Sequence, residues 1–278
     1  MKKVLSLLTA SALVLTLTAC GDFAPDPTEA PEKAMDYEYT ESNYPNVYAS
    51  AAYTPLTEAV TAIMLGTTRE RAARHVETGL SSDAVAAVQS GDAGVALVPE
   101  GMTIPASIDS APVARDALVF FVGRDSKIDS LTTDELARIF SGRADDWSDF
   151  GGSGEIRLLT HPEGSGSLAA LEELLDVDAS AAVGESDPLT GSDTLGFGLW
   201  SECSVMGLSD GYKLIAVDGV EPSADTIKSG EYTLGLDTLV LVDHNAAEDS
   251  GERALWLWMQ GSVGQAFISS QGYLEAVR

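Results

Sequence analysis

The chain is poor in cysteine, histidine and basic residues, and each shortage excludes a class of function. It has 2 Cys and 3 His in 278 residues, and the histidines are far apart, without HExxH or Cys/His spacing. This pattern predicts no metal site. Sixteen Lys and Arg against 43 Asp and Glu give a formal net charge of −27, which disfavours nucleic acid and anionic lipid as partners. GxSxG and GxxxxGK[ST] motifs are also missing, so we expect neither an enzyme nor a cofactor.

After the first 20 residues the chain also lacks an apolar run long enough to cross a membrane. Within those 20 residues, Lys2 and Lys3 precede an apolar stretch that ends in Leu17-Thr18-Ala19-Cys20. A basic start and a short apolar run are typical of an export signal, predicted here over residues 1–19. The ending resembles a bacterial lipobox, which implies cleavage before Cys20 and acylation of its thiol. The alternative is an ordinary signal peptide with an incidental cysteine.

Composition divides the remaining chain into a tether and a folded part. Residues 20–43 hold three prolines among Asp and Glu, with too little apolar content to pack, so a flexible tether is predicted. Residues 44–278 are long enough for one large domain or two modest ones. Cys203 is the one cysteine of this part, which excludes an internal disulfide and predicts a buried or partly buried thiol.

Hydrophobic periodicity in the folded part alternates between strand and helix patterns, which predicts an α/β sheet fold. A capping box at Thr132 and Glu135 marks one helix start. The predicted strands are Val47–Ser50, Gly94–Val98, Ala117–Val122 and Thr238–Val242, and the predicted helices include Thr54–Leu65, Ser82–Gln89 and 252–268.

Residues 161–175, HPEGSGSLAALEELL, combine a Gly/Ser turn with an amphipathic helix. Ser165, Gly166 and Ser167 occupy the first turn, where backbone N–H groups have no partner inside the helix. These donors, two hydroxyls and the positive end of the helix dipole form a seat for a small oxyanion. The alternative is a serine N-cap that needs no ligand.

The order of motifs along the chain resembles that of the phosphate-binding lipoproteins of bacterial ABC importers, within the type II superfamily of periplasmic binding proteins. The resemblance rests on ARDALVFFV at 114–122, LTTDEL at 131–136, IFSG at 139–142, WSDFGG at 147–152 and GSGS at 164–167. It continues with DGVEPS at 218–223, IKSGEY at 227–232, and the closing pairs GQ at 264–265 and GY at 272–273.

This resemblance implies two α/β lobes joined by two crossing strands, with the ligand in the cleft between them. Lobe I would comprise residues 44–113 and 238–278, and lobe II residues 114–237. The expected ligand-binding residues are Ser50, Ala51, Ala52, His161, Glu163, Ser165, Gly166 and Ser167, with Ser81, Ser82 and Glu100 as further candidates.

The chain departs from the family at several of these positions. His161 replaces the family's arginine, and Ala51 and Ala52 replace hydroxyl residues. Glu163 stands where an aspartate accepts the proton of phosphate; an acidic residue near a helix N-terminus explains it equally well. Glu100 is the nearest candidate for the family's second acidic group. Ser81 and Ser82 are either ligand donors or N-caps.

The resemblance implies a monomeric, lipid-anchored extracytoplasmic protein that captures a small oxyanion, phosphate above all, and delivers it to an ABC permease. Two alternatives stay open. One is a surface lipoprotein of the same fold that senses or binds another anionic ligand. The other is an enzyme, for example a phosphate-ester hydrolase that uses His161 and Ser165, for which the sequence offers no orienting third group.

Overall fold

The computed structural model describes residues 36–179, 191, 193–207 and 210–276. The export signal and Cys20 lie outside the described residues. The strands are β1 (Val47–Ser50), β2 (Val76–Gly79), β3 (Val95–Pro99), β4 (Ile108–Gly123), β5 (Ser130–Leu131), β6 (Arg157–Leu158), β7 (Thr194–Leu199), β8 (Tyr212–Leu214), β9 (Ala216–Val217), β10 (Gly235–Asp243) and β11 (Leu274–Glu275). The helices are α1 (Thr54–Leu65), α2 (Arg69–Ala72), α3 (Ser81–Ser90), α4 (Thr133–Phe140), α5 (Gly166–Leu175), α6 (Ala224–Ser229), α7 (Gly251–Gln260) and α8 (Ser262–Ser270).

The main sheet has the strand order β2-β1-β3-β10-β4-β7-β6, with β8 and β11 also paired to β4. Strands β2 and β3 run parallel to β1, whereas β10 is antiparallel to both β3 and β4. This mixed α/β sheet confirms the predicted fold class. Strand β1 and helix α1 begin and end where the periodicity predicts, and Thr132 and Glu135 form the predicted capping box at the start of α4.

Strand β4 joins two groups of strands. Its first part, from Ile108 to Ala117, pairs with β10, and its second part, from Leu118, pairs with β7 and β8. We call the group containing β1, β2, β3 and β10 the first lobe, and the group containing β6, β7 and β8 the second lobe. The sequence predicted only Ala117–Val122 because Pro112, Arg115 and Asp116 interrupt the apolar pattern before it.

The single helix predicted over residues 252–268 is wrong. The segment forms α7 and α8, which are separated at Gly261, whose φ of −71° and ψ of 163° are extended. Helix α8 then packs closely on the end of α7: a Cβ on Gly264 would overlap the Trp258 carbonyl. The spacing of four between apolar residues continues across this break, so periodicity alone did not reveal it.

Packing of the first lobe extends to residues that the composition assigned to the tether. Tyr39 is buried and its hydroxyl donates to the Gly251 carbonyl at 2.7 Å. Its ring lies 4.8 Å from that of Tyr37 and 5.2 Å from that of Tyr44. The packed part of the chain therefore includes Tyr37 and Tyr39, because these aromatic rings bury apolar surface in an otherwise acidic stretch. In the described part of the chain, no helix has the length and apolar character needed to span a bilayer.

Candidate functional site

One half of the candidate site lies where two neighbouring strands of the first lobe end. Strands β1 and β2 are parallel, with Ser50 opposite Gly79, so the loops that follow them meet at the same edge of the sheet. Ser81 Oγ donates to Ser50 Oγ at 2.9 Å, and both side chains are buried. Ser81 is the first residue of α3 and not its N-cap, which is Leu80. The two hydroxyls thus form a pair at the edge of the first lobe.

The segment after Ser50 turns directly into a helix. Residues Ala51–Tyr53 form one 3-10 turn, and α1 follows from Thr54 with Pro55 in its first turn. Neither turn has a side-chain cap at its N-terminus, and the N-cap of α1 is Tyr53, the residue before Thr54. Ala51 and Ala52 have no side-chain donor, so their backbone N–H groups are the donors they can offer.

The other half of the candidate site is the N-terminus of α5 in the second lobe. Ser165 is the N-cap, and its hydroxyl accepts a hydrogen bond from Leu168 N at 3.3 Å. Gly166 and Ser167 are buried in the first turn, where a helix offers N–H donors and its positive dipole end. The serine therefore does cap the helix, as the alternative interpretation held, and the backbone donors of the turn are additional to that cap.

The two halves lie against each other. Ser82 N donates to the Gly164 carbonyl at 3.0 Å, a direct bond between the lobes. A Cβ added to Gly166 would overlap the ring of Pro99 and lie 2.6 Å from Ser81 Oγ. Ser81 and Gly166 therefore face each other at close range, and only a residue without a side chain fits at this position of α5.

Two carboxylates that the sequence analysis did not single out lie at the base of this site. Glu202 Oε2 accepts from Leu199 N at 2.8 Å and lies 3.5 Å from Ser167 Oγ. Asp116 is buried, and burial raises the pKa of its carboxyl to about 6, although hydrogen bonds from Ser201 act in the opposite direction. An aspartate within the apolar pattern of β4 was the available signal for Asp116; Glu202 had none.

Three predicted site residues show no hydrogen bond to the Ser50–Ser81 pair or to the first turn of α5. His161 Nε2 lies 3.0 Å from the Phe197 carbonyl, which can only accept, so this nitrogen carries the proton of that bond. Glu163 is exposed. Glu100 is also exposed and accepts from Asp237 N at 3.0 Å. The structure thus brings together Ser50, Ser81 and the first turn of α5, whereas these three side chains do not join them.

Nothing at the described part of the site suggests a metal centre or a reactive thiol. No group of three or more His, Cys, Asp or Glu residues that could hold a metal ion occurs among the described residues. Cys203 is free and partly exposed, as predicted, and burial raises the pKa of its thiol to about 12, which keeps it protonated and unreactive at neutral pH.

The chain was compared with family models and with known proteins, and the matches agree with one another. The model of the PBP superfamily domain matches residues 46–268. The chain is 27% identical over 181 residues to the phosphate-binding protein PstS of Borreliella burgdorferi, covering 58% of this chain and 63% of that protein. It is 30% identical over 165 residues to the protein of the same name from Bacillus subtilis, covering 56% and 54%. The chain therefore matches less than two thirds of the length of these relatives.

A solved structure shows the same fold. It is described as a putative phosphate ABC transporter substrate-binding protein with bound phosphate, from Clostridium perfringens. The TM-score is 0.66 at 14% identity, and the match covers 83% of this chain and 98% of that one.

Proposed function

The chain belongs to the PBP superfamily, and from this premise we propose that it is an extracytoplasmic solute-binding protein that captures a small oxyanion, most plainly inorganic phosphate, for an ABC importer. The curated relatives carry the name of phosphate-binding proteins, and the similar solved structure contains phosphate. The partners would be the anion and the permease subunits. The protein would act as a monomer, and its role would be binding and not catalysis.

The observation that carries this proposal is the meeting of the Ser50–Ser81 pair with the N-terminus of α5. Ser81 Oγ and the Gly166 position are in close contact across the lobes, so a ligand held here would touch both lobes at once. Hydroxyl and backbone N–H groups suit an oxyanion, because each can donate to an oxygen and none carries a charge that must be neutralised. Ligand binding would favour the closed arrangement, since only that arrangement supplies donors from both lobes.

The negative charge of the whole chain does not oppose this function. Surface charges beyond about 8 Å are screened at physiological salt, whereas the N–H groups of a helix terminus act at contact distance. Arg115, the arginine nearest to Asp116 in sequence, forms an ion pair with Asp237 at 3.0 Å. The helix dipole and the backbone donors would therefore supply the positive potential that an arginine supplies in the family.

The test is isothermal calorimetry of the full chain, purified in detergent micelles, with phosphate and with sulfate. We expect phosphate to bind with a dissociation constant in the micromolar range or below and sulfate to give no heat. The Glu202 carboxylate near Ser167 disfavours an anion without a proton, because two acceptors cannot form a hydrogen bond with each other. Absence of phosphate binding at millimolar concentration would refute the proposal.

Two observations favour a second candidate, a lipoprotein of the same fold that senses or binds a different anion. The Pro99 ring occupies the space beside Gly166, and His161 is bonded to the Phe197 carbonyl. Both features reduce the donors available to a free phosphate. A panel of organic phosphates in the same calorimeter distinguishes the two: binding of a phosphate ester, with inorganic phosphate silent, would select this candidate.

For the location of the protein we propose a lipid anchor at Cys20, with residues 1–19 as the signal, a tether after it, and lobes that follow the boundaries expected from the family. We predict that Cys20→Ser abolishes incorporation of labelled palmitate and releases the protein from the membrane fraction. Acylation requires the thiol, and without lipid the described helices offer no span to replace it. Cys203→Ser is the matched control and should leave labelling unchanged. Retained palmitate in the Cys20 variant would contradict the anchor.

A further inference from the structure

Asp116 lies at the point where β4 passes from one lobe to the other. On one side of the strand, Asp116 is opposite Leu236 of β10. Two residues later, Leu118 is opposite Leu199 of β7 in the second lobe. The side chain of Asp116 is 1% exposed, so this carboxylate is buried at the junction of the lobes. A buried carboxylate is costly unless hydrogen-bonded groups surround it, and the identity of those groups is informative.

The donors to Asp116 come from both lobes. Oδ2 accepts from Tyr53 OH at 3.2 Å and from Ser201 Oγ at 2.6 Å, and Oδ1 accepts from Ser201 N at 3.0 Å and Ala117 N at 2.8 Å. Tyr53 ends the turn that contains Ala51 and Ala52 in the first lobe. Ser201 follows β7 of the second lobe. One carboxylate thus holds a residue of each lobe.

Each of these donors is directly connected to one half of the candidate anion site. Tyr53 is fully buried, so fixing its hydroxyl fixes the turn that starts at Ser50. Ser201 precedes Glu202, whose carboxylate lies 3.5 Å from Ser167 Oγ at the start of α5. None of the four hydrogen bonds to Asp116 comes from Ser165, Gly166 or Ser167. The effect of Asp116 on a ligand would therefore pass through Tyr53 and Ser201.

We propose that Asp116 is a positioning residue whose ionised carboxylate fixes the two half-sites relative to each other and thereby sets the affinity for the oxyanion. This inference rests on the proposed function. Hydrogen bonds to an ionised acceptor are shorter and roughly twice as strong as neutral ones. The hydrogen bonds from Ser201 lower the pKa of Asp116, which means that the ionised form and the bonded arrangement of the lobes stabilise each other.

The ionisation of Asp116 gives the test a signature that a purely structural residue lacks. Burial raises the pKa of its carboxyl to about 6, so the carboxylate is present at pH 7.5 and protonated near pH 5. Four titratable groups face this carboxylate. Glu202 and Cys203 lie in the turn after β7, Tyr53 in the turn after β1, and Tyr273 directly before β11. The tyrosines and the thiol, with raised pKa values, stay neutral over this range, which leaves Glu202 to be controlled.

The experiment compares phosphate affinity of the wild-type full chain with that of Asp116→Asn at pH 7.5 and pH 5, by calorimetry in detergent. We expect Asp116→Asn to bind about tenfold more weakly at pH 7.5 and equally well at pH 5, where a protonated aspartate resembles asparagine. Titration of phosphate itself affects both proteins alike, so it cancels in the ratio of their affinities. When the comparison is repeated in a Glu202→Gln background, the affinity ratio should again differ between pH 7.5 and pH 5.

Two variants complete the design. Asp109→Asn removes another carboxylate of β4, which lies far from the junction and accepts from Arg253 Nη1 at 2.9 Å. This variant should bind phosphate as tightly as the wild-type protein at both pH values. Tyr53→Phe deletes a single donor and keeps the ring, and should weaken binding several-fold even if Asp116→Asn does not fold.

Three outcomes are decisive. A ratio that stays near one at both pH values, or near ten at both, would overturn the positioning role while leaving the proposed function intact. Unchanged affinity in Tyr53→Phe would overturn it likewise. Wild-type protein that binds no phosphate would overturn the proposed function and this inference together.

Discussion

Gly166→Ala is expected to weaken phosphate binding by about 10- to 100-fold while leaving the free energy of unfolding within about 1 kcal/mol of the wild-type value. The added Cβ would overlap the Pro99 ring and lie 2.6 Å from Ser81 Oγ, so the two lobes could no longer meet. Overpacking of this kind costs about 1–3 kcal/mol, and each 1.4 kcal/mol is about tenfold in affinity.

The stability of the Gly166→Ala variant should hold because the overlap lies between lobes and not within one. The lobes can relieve it by opening, and alanine is a better helix former than glycine by about 1 kcal/mol. Calorimetry with phosphate and urea unfolding measure the two effects separately. In the double variant Pro99→Ala/Gly166→Ala the overlapping ring atoms are removed, and we expect most of the lost affinity to return. Wild-type affinity in the single variant would show that the ligand does not need this contact.

Phe120→Ala is expected to lower the free energy of unfolding by about 3–5 kcal/mol, because a large buried ring is deleted and the cavity relaxes only in part. Phe120 is fully buried. Its ring lies 5.8 Å from that of Phe140 and 6.4 Å from that of Phe197. These rings join β4, α4 and β7, so the cavity would lie in the core of the second lobe.

The neighbouring ring provides the control for this prediction. Phe121 points to the other side of β4, is partly exposed, and packs on Tyr212 at 5.1 Å. Phe121→Ala should therefore cost clearly less than Phe120→Ala. Urea denaturation followed by tryptophan fluorescence measures both. Equal losses in the two variants would contradict the conclusion that Phe120 contributes more than Phe121 to the core of the second lobe.

Local sequence signals predicted much of this molecule because they act within a few residues. The capping box of Thr132 and Glu135 needs only one helical turn, and the Ser-Gly-Ser segment marks the start of α5 through N-cap chemistry alone. By contrast, the sequence did not predict the break at Gly261. The apolar residues keep a spacing of four across it, so the pattern is the same as that of one continuous helix. The packing of Tyr37 and Tyr39 was not predicted, because the acidic composition of the whole segment outweighs its two aromatic residues.

The candidate site was predictable in its parts and not in its assembly. Serine at the end of β1 and serine at the start of α3 could each be read from the sequence, and the loops of parallel neighbouring strands are expected to meet. The bond from Ser81 Oγ to Ser50 Oγ required the register of β1 and β2. His161 and Glu163 were chosen by their distance from Ser165 along the chain, a criterion that does not determine where a loop side chain points.

The sequence by itself determined the fold class and the capped start of α5, since hydrophobic patterning and capping are properties of short segments. Only the tertiary structure decided that Gly166 meets Pro99 and Ser81, that Glu202 lies near Ser167, and that Asp116 is bonded to both lobes at their junction. These contacts join residues 35 to 85 positions apart. Their geometry depends on how β4 pairs with β10 on one part of its length and with β7 on the other, which no local pattern encodes.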